Sequence, residues 1–248
     1  MDISRADSRN LLLRSLADED FDRLRPHFER VKLYRRMHLV QVDQSFEQVY
    51  FPEGGVVSVV MRLEDGGEME VGLIGREGMI PVAALLSADT SPHENFVQVD
   101  GSDALAMPYV VLRDLMREHA GLRERLQRFA QSFLVQSTST AVSAGNHPLE
   151  QRLARWLLMC HDRLDGADLR LTHEFVGLML AVRRSSVTVT LHVLEGMGAI
   201  SAKRGTVVVT DRPLLEELAG EAYGQAEEQY RKLIGPFPPP LTAGTDRR

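Results

Sequence analysis

The sequence predicts an α+β chain in three parts: a β-rich N-terminal half closed into a roll, one long helix, and a C-terminal winged helix-turn-helix. Three observations carry that prediction. Between residues 31 and 108, short β-rich segments alternate with Gly and Asp clusters, the spacing of an antiparallel roll or barrel. Residues 122–144 keep a helical period. Residues 171–194 read as two short amphipathic helices with a tight joint, and a β-hairpin pattern follows them.

Residues 1–14 show no clear period and are expected to fray. Asp18, Glu19 and Asp20 open a helix with acidic groups at its positive end and with Phe21, Leu24 and Phe28 inward. Strands are expected at 48–51, 56–62, 68–74, 96–99 and 104–107. Glu53-Gly54-Gly55, Asp65-Gly66-Gly67, Gly75-Arg76-Glu77-Gly78 and Asp100-Gly101 separate them. Of these, Asp65-Gly66-Gly67 is a hairpin signal. Residues 108–119 form a helix with Val111, Leu112 and Leu115 inward. In the long helix, Leu122, Leu126, Phe129 and Phe133 follow a heptad-like seam, which turns polar at Gln136 and Thr140. Two packings fit it: against the roll of its own chain, or against a second copy. The change from apolar to hydroxyl-rich residues favours a dimer helix, and the hydroxyl cluster also suits a ligand.

Asn146-His147-Pro148 ends that helix, with Pro at a good first position of the next. Leu149, Leu153, Trp156, Leu157 and Cys160 then share one face. Thr172 is an N-cap for the first helix of the bihelical motif, which turns Phe175, Val176, Met179 and Leu180 inward. After Ala181-Val182-Arg183, the second helix buries Val187, Leu191 and Leu194 and offers Arg183, Arg184, Ser185, Thr188, Val189 and His192 outward. Residues 200–202 and 206–210 make the wing, with Lys203-Arg204-Gly205 at its tip, and 214–233 is a final helix. The domains are thus a β-roll (1–120), a dimerisation helix (121–146), a winged helix-turn-helix (147–235) and a Pro-rich tail expected to be disordered (236–248).

Composition narrows the function. Hydrophobic residues at 44% and charged residues at 26% are ordinary for a globular protein. No apolar run is long enough to span a membrane, and the first residues lack the pattern of a secretion signal, so a cytoplasmic protein is expected. One cysteine excludes an intrachain disulfide and an iron–sulfur cluster held by one chain. A roll of this shape also serves cupin metalloenzymes, which converge several histidines on a metal. Here His27, His38, His93 and His119 are scattered, so no metal and no enzyme activity are predicted. His93, a lone loop histidine, gives haem little support.

The net charge is −6, but its distribution matters more than the sum. Residues 146–212 hold nine Lys/Arg against seven Asp/Glu, so the positive bias lies on the bihelical motif. Such a motif places its second helix in the DNA major groove. Arg183 and Arg184, at the start of that helix, can each donate two hydrogen bonds to guanine or pair with phosphate. Thr188 and Val189 suit thymine methyls, and His192 reaches toward phosphate. Thr172 and His173 stand where backbone amides can bind phosphate, though Thr172 serves equally as a plain cap. Lys203 and Arg204 at the wing tip suit phosphate. Two copies on a two-fold axis would set the reading helices roughly 34 Å apart on a pseudo-palindrome.

The order of roll, long helix, helix-turn-helix and wing resembles the Crp/Fnr family of bacterial transcription regulators. The resemblance covers roughly residues 15–212 and is densest over 171–210, with VYFPEGGVVSVV and GREGM similar to the roll of one branch. It implies a homodimer joined along the long helix, a sensing roll, reorienting DNA-binding domains and RNA polymerase as a partner. Within the family pattern Arg184 is the better base reader, Ser185 stands where many members carry Glu, and Val189 where many carry Arg, so the target site differs from the best-known one. Cyclic AMP is disfavoured. Where members hold its ribose the chain reads Pro81-Val82, and the place of the phosphate-binding Arg-Ser pair falls near Glu94-Asn95, a carboxylate that repels the phosphate. Ser137 and Thr138 fall where members offer hydroxyls to the base. The apolar Met79, Ile80, Pro81 and Val82 suit an apolar effector or none. No cofactor is predicted. The other readings are a regulator with no effector, and a scaffold that binds protein partners and little DNA.

Overall fold

The computed structural model describes residues 3–63, 66–99, 103–203 and 205–237. Asp65, the Asp100-Gly101 turn, Arg204 and the tail beyond Phe237 lie outside the described residues. Two antiparallel sheets form the roll. One has β1 (Glu29–Lys32) and β3 (Gln48–Pro52) flanking β7 (Asp103–Pro108). The other runs β2 (His38–Val40), β6 (His93–Val99), β4 (Val56–Arg62), β5 (Glu68–Ile74). The β4–β5 hairpin pairs Arg62 with Glu68, where the Asp-Gly-Gly signal lies in sequence.

Side chains alternate across a strand, and β4 uses both faces. Val57 and Val59 point into the roll, while Val56 and Val60 join a second core on the other side. A bulge between Val59 and Val60 shifts the register there. α3 (Tyr109–Glu118) closes the roll, and α4 (Ala120–Asn146) runs along it for 27 residues, on the order of 40 Å.

The second core holds α5 (Leu149–His161), α6 (His173–Met179), α7 (Arg184–Gly196), and a three-stranded sheet of β8 (Asp168–Leu169), β10 (Thr206–Val209) and β9 (Ile200–Lys203). Leu153 through His161 are all buried. A helix buried on every side lies between two layers: α5 has the roll on one side and the winged domain on the other.

Three expectations are corrected. Residues 1–14 do not fray from residue 3 onward: α1 (Leu11–Arg14) buries Leu12 and Leu13 completely. Asn10 caps α1 by accepting from the Leu13 amide and donates to the Pro52 and Gly78 carbonyls, both at 2.8 Å. So short a helix is stabilised by docking and not by its own period. The final helix is two helices, α8 (Arg212–Ala219) and α9 (Gln225–Leu233). Gly220 and Gly224 take positive φ between them, which lets α8 pack on α5 while α9 turns back onto α4.

Third, the expected dimer seam packs inward. Leu122, Leu126 and Phe129 lie in the core of their own roll and Phe133 packs against its edge. A Cβ on Gly78 would stand 2.1 Å from the Phe129 ring, and one on Gly72 2.7 Å from Phe133. These glycines let α4 press onto the roll, so this face is unavailable to a second copy. The outward face carries Gln127, Gln131, Leu134, Thr138, Ala141 and Gly145, all exposed, at the same alternating spacing of four and three.

Candidate nucleic-acid interface

The helix-turn-helix is held from inside. Val176 and Met179 on α6 and Val187, Leu191 and Leu194 on α7 are sealed in one core. Gly177 permits the close joint, since a Cβ there would stand 2.8 Å from the Val182 carbonyl oxygen. Ala181 turns the chain at φ +52°. Thr172 caps α6, its hydroxyl accepting from the Phe175 amide at 3.2 Å.

Arg183, at the N-cap of α7, and Arg184, its first residue, are exposed. Ser185 is exposed beside them, and Val189 is 64% exposed one turn on. His192 lies farther along, 3.6 Å from Glu195. Glu195 in turn accepts from the Ala202 amide at 2.8 Å, which ties α7 to the wing. Lys203 is exposed at the end of β9. Thr188 is half-buried: its hydroxyl donates to the Arg184 carbonyl at 3.1 Å and meets His173 Nδ1 at 2.9 Å. The pair joins the start of α6 to α7 and leaves the Thr188 hydroxyl little freedom to read a base. The four-residue spacing from Val189 also leads to Val193 and Met197, both partly exposed, which residue type alone does not mark out.

The proposed effector residues do not line one cavity. Met79 and Ile80 are wholly buried in the roll core with Leu126 and Phe129. Pro81 is buried and Val82 half-buried. Ser137 Oγ is buried without a partner. Thr138 is exposed and bonds back to the Leu134 and Val135 carbonyls. Gln136 instead bridges to β5, accepting from the Leu73 amide at 2.7 Å and donating to its carbonyl at 3.1 Å.

Buried polar groups join the roll to the winged domain. Arg163, just after α5, pairs with Glu77 of the roll at 2.8 Å, and both are almost fully buried. Trp156 on α5 donates to Glu70 on β5 at 2.7 Å. Burial pushes the Glu70 carboxyl up to about 7, against the pull of its hydrogen bonds and of Arg163 and Arg155.

Residues 151–218 match the Crp-like helix-turn-helix domain. The chain is 22% identical over 197 residues to Vfr of Pseudomonas aeruginosa, a cAMP-activated global transcriptional regulator, covering 76% of this chain and 92% of that one. Among solved structures, FixK2 of Bradyrhizobium japonicum aligns with a TM-score of 0.68 at 17% identity, covering 79% of this chain and 99% of that one. A Crp/Fnr-family regulator from Eubacterium rectale aligns at 0.65 with 15% identity, covering 84% and 97%. The likeness to these two is one of fold, over most of the chain. The chain thus carries a Crp-like helix-turn-helix domain and is a DNA-binding transcriptional regulator similar to those of the Crp/Fnr family.

Proposed function

We propose that the protein acts in the cytoplasm as a homodimer that reads a pseudo-palindromic duplex with α7 and grips phosphate with the start of α6 and the wing. The observation that carries this reading is the outward face of α7: Arg183, Arg184, Ser185 and Val189 are exposed together over a sealed inner face. Arg184 supplies a planar pair of donors for guanine O6 and N7, and Val189 an apolar surface for a thymine methyl. The second copy docks along the outward seam of α4, centred on Leu134, where small residues at 141 and 145 allow close approach. RNA polymerase is the protein partner such a regulator engages.

A second reading is favoured for control: the roll fixes the orientation of the winged domain with no small-molecule effector. Met79 and Ile80 fill the roll interior. The cavities where α4 meets α9 and where it meets α5 are about 10 and 20 Å³, room for about one water each. Selection from randomised duplexes with the untreated protein tests both parts. Recovery of an inverted repeat with centres about 10 base pairs apart is expected. A selected site without two-fold symmetry would refute the dimer, and selection only after adding cell metabolites would refute effector independence.

A further inference from the structure

The turn between β1 and β2 carries Arg35 and Arg36, both exposed. Neither forms an ion pair or a side-chain hydrogen bond among the described residues. They line a cleft of about 270 Å³ whose other walls include Arg62 on β4, Phe96 on β6, and Phe175 and Leu178 on α6. The carboxylates there already have partners. Arg62 pairs with Glu94 at 2.7 Å and Glu68 at 3.1 Å, and His38 lies 2.5 Å from Glu94. Arg35 and Arg36 therefore carry the uncommitted positive charge of the cleft.

Their place beside the helix-turn-helix is fixed. Phe96 and Phe175 meet edge to face at 6.4 Å, and the Ser58 hydroxyl, which donates to Gln98 at 2.6 Å, lies 3.7 Å from the Met179 sulfur on α6. Arg36 sits at φ +66°, its amide bonded to the Val97 carbonyl at 2.8 Å, so the turn is pinned to β6. In a helix-turn-helix the first helix crosses the DNA backbone, and here that helix is α6. A chain of net charge −6 needs local clusters of cations to hold a polyanion.

We propose that Arg35 and Arg36 form an accessory phosphate-binding surface, through which the roll holds the DNA backbone flanking the half-site. This rests on the reading of α7 as the recognition helix. Duplex leaving the major groove past α6 meets the roll at this turn, and guanidinium groups are suited to phosphate. The interaction adds affinity and salt dependence without adding sequence preference.

The test uses the full chain and two duplexes with the same selected site, one trimmed to the repeat and one extended by about one helical turn, roughly 10 base pairs, at each end. The variant is Arg35→Gln with Arg36→Asn, since Asn tolerates the left-handed backbone. Arg35→Glu alone is the second variant and leaves the strained position untouched. Removing one Arg–phosphate pair lowers the slope of log K against log salt by about 0.9. On the extended duplex the double variant is expected to give a slope shallower by up to about 3.6 per dimer and an affinity tenfold or more weaker, with Arg35→Glu weakening binding in the same direction. On the trimmed duplex both should stay within about twofold of the parent. An unchanged slope on the extended duplex, or equal weakening on both duplexes, would overturn the proposal. If the parent selects no site at all, the reading of α7 fails instead, so the two failures are distinct.

Discussion

Arg184 begins α7 with its side chain in solvent, so its donors are free for one base pair. Arg184→Ala should weaken specific binding by about 1–3 kcal/mol and relax preference at one position. Competition between the selected site and single-base variants measures this, and an equal loss on specific and random DNA would refute base reading. Glu70 sets a different single-residue test. Its carboxyl is raised to about 7 by burial, so the folded state binds a proton that the unfolded state has released above its ordinary value of 4.5. Its stabilising effect is full below pH 4.5 and is lost as pH rises through 7, by roughly 3 kcal/mol across that window. Glu70→Gln should flatten stability over that range and make the protein more stable than its parent at pH 8, as urea unfolding at several pH values would report. A parent whose stability rises between pH 5 and 7 through Glu70 would contradict this sign.

In α4 the sequence carries some features and folding decides the others. Its length and heptad spacing are legible, but two faces share that spacing. Leu122, Leu126 and Phe129 form the more apolar one, and apolarity is what a roll's core and a dimer seam both require. Gly72 and Gly78 decide between them by letting α4 close onto the roll, a contact between segments far apart in sequence. The same limit explains α1, whose burial comes from distant partners, and the α8–α9 break, where two glycines serve opposite packing directions. The longer roll strands are legible as β-rich runs between Gly and Asp clusters, and the inward face of α7 because its period of about 3.6 points to one face only. α4 therefore gives a paired prediction. Leu134→Glu, on the outward seam, should give a folded monomer with weakened binding to the palindrome. Phe129→Ala, in the core, should cost about 3–5 kcal/mol and leave any surviving folded protein dimeric. Sedimentation with thermal unfolding checks both, and the reverse pattern would return the dimer interface to the inner seam.

For the whole molecule, the two domains share a sheet. The outward residues of β4 join the winged-domain core while the inward ones stay in the roll, so separating the domains exposes apolar surface on both. At the edge of that joint lies the Glu77–Arg163 pair. The C-terminal segment covers it: Tyr230 donates to the Glu77 carbonyl at 2.8 Å, and the Phe237 ring lies 5.6 Å from the Arg163 guanidinium. α9 also receives a bond from Arg125 on α4 to the Leu233 carbonyl at 3.3 Å. One segment therefore ties together the roll, the long helix and the winged domain, and the chain should unfold in one cooperative step. Removing one partner of a buried pair strands the other, at about 3–5 kcal/mol, whereas removing both charges is far milder. Arg163→Met should therefore lower stability by that amount, and adding Glu77→Gln should recover much of it. In calorimetry the single transition of the parent should broaden or split in Arg163→Met as the roll and the winged domain uncouple. If Arg163→Met keeps one sharp transition at the parent temperature, the shared sheet alone joins the domains and the ion pair contributes nothing to their coupling.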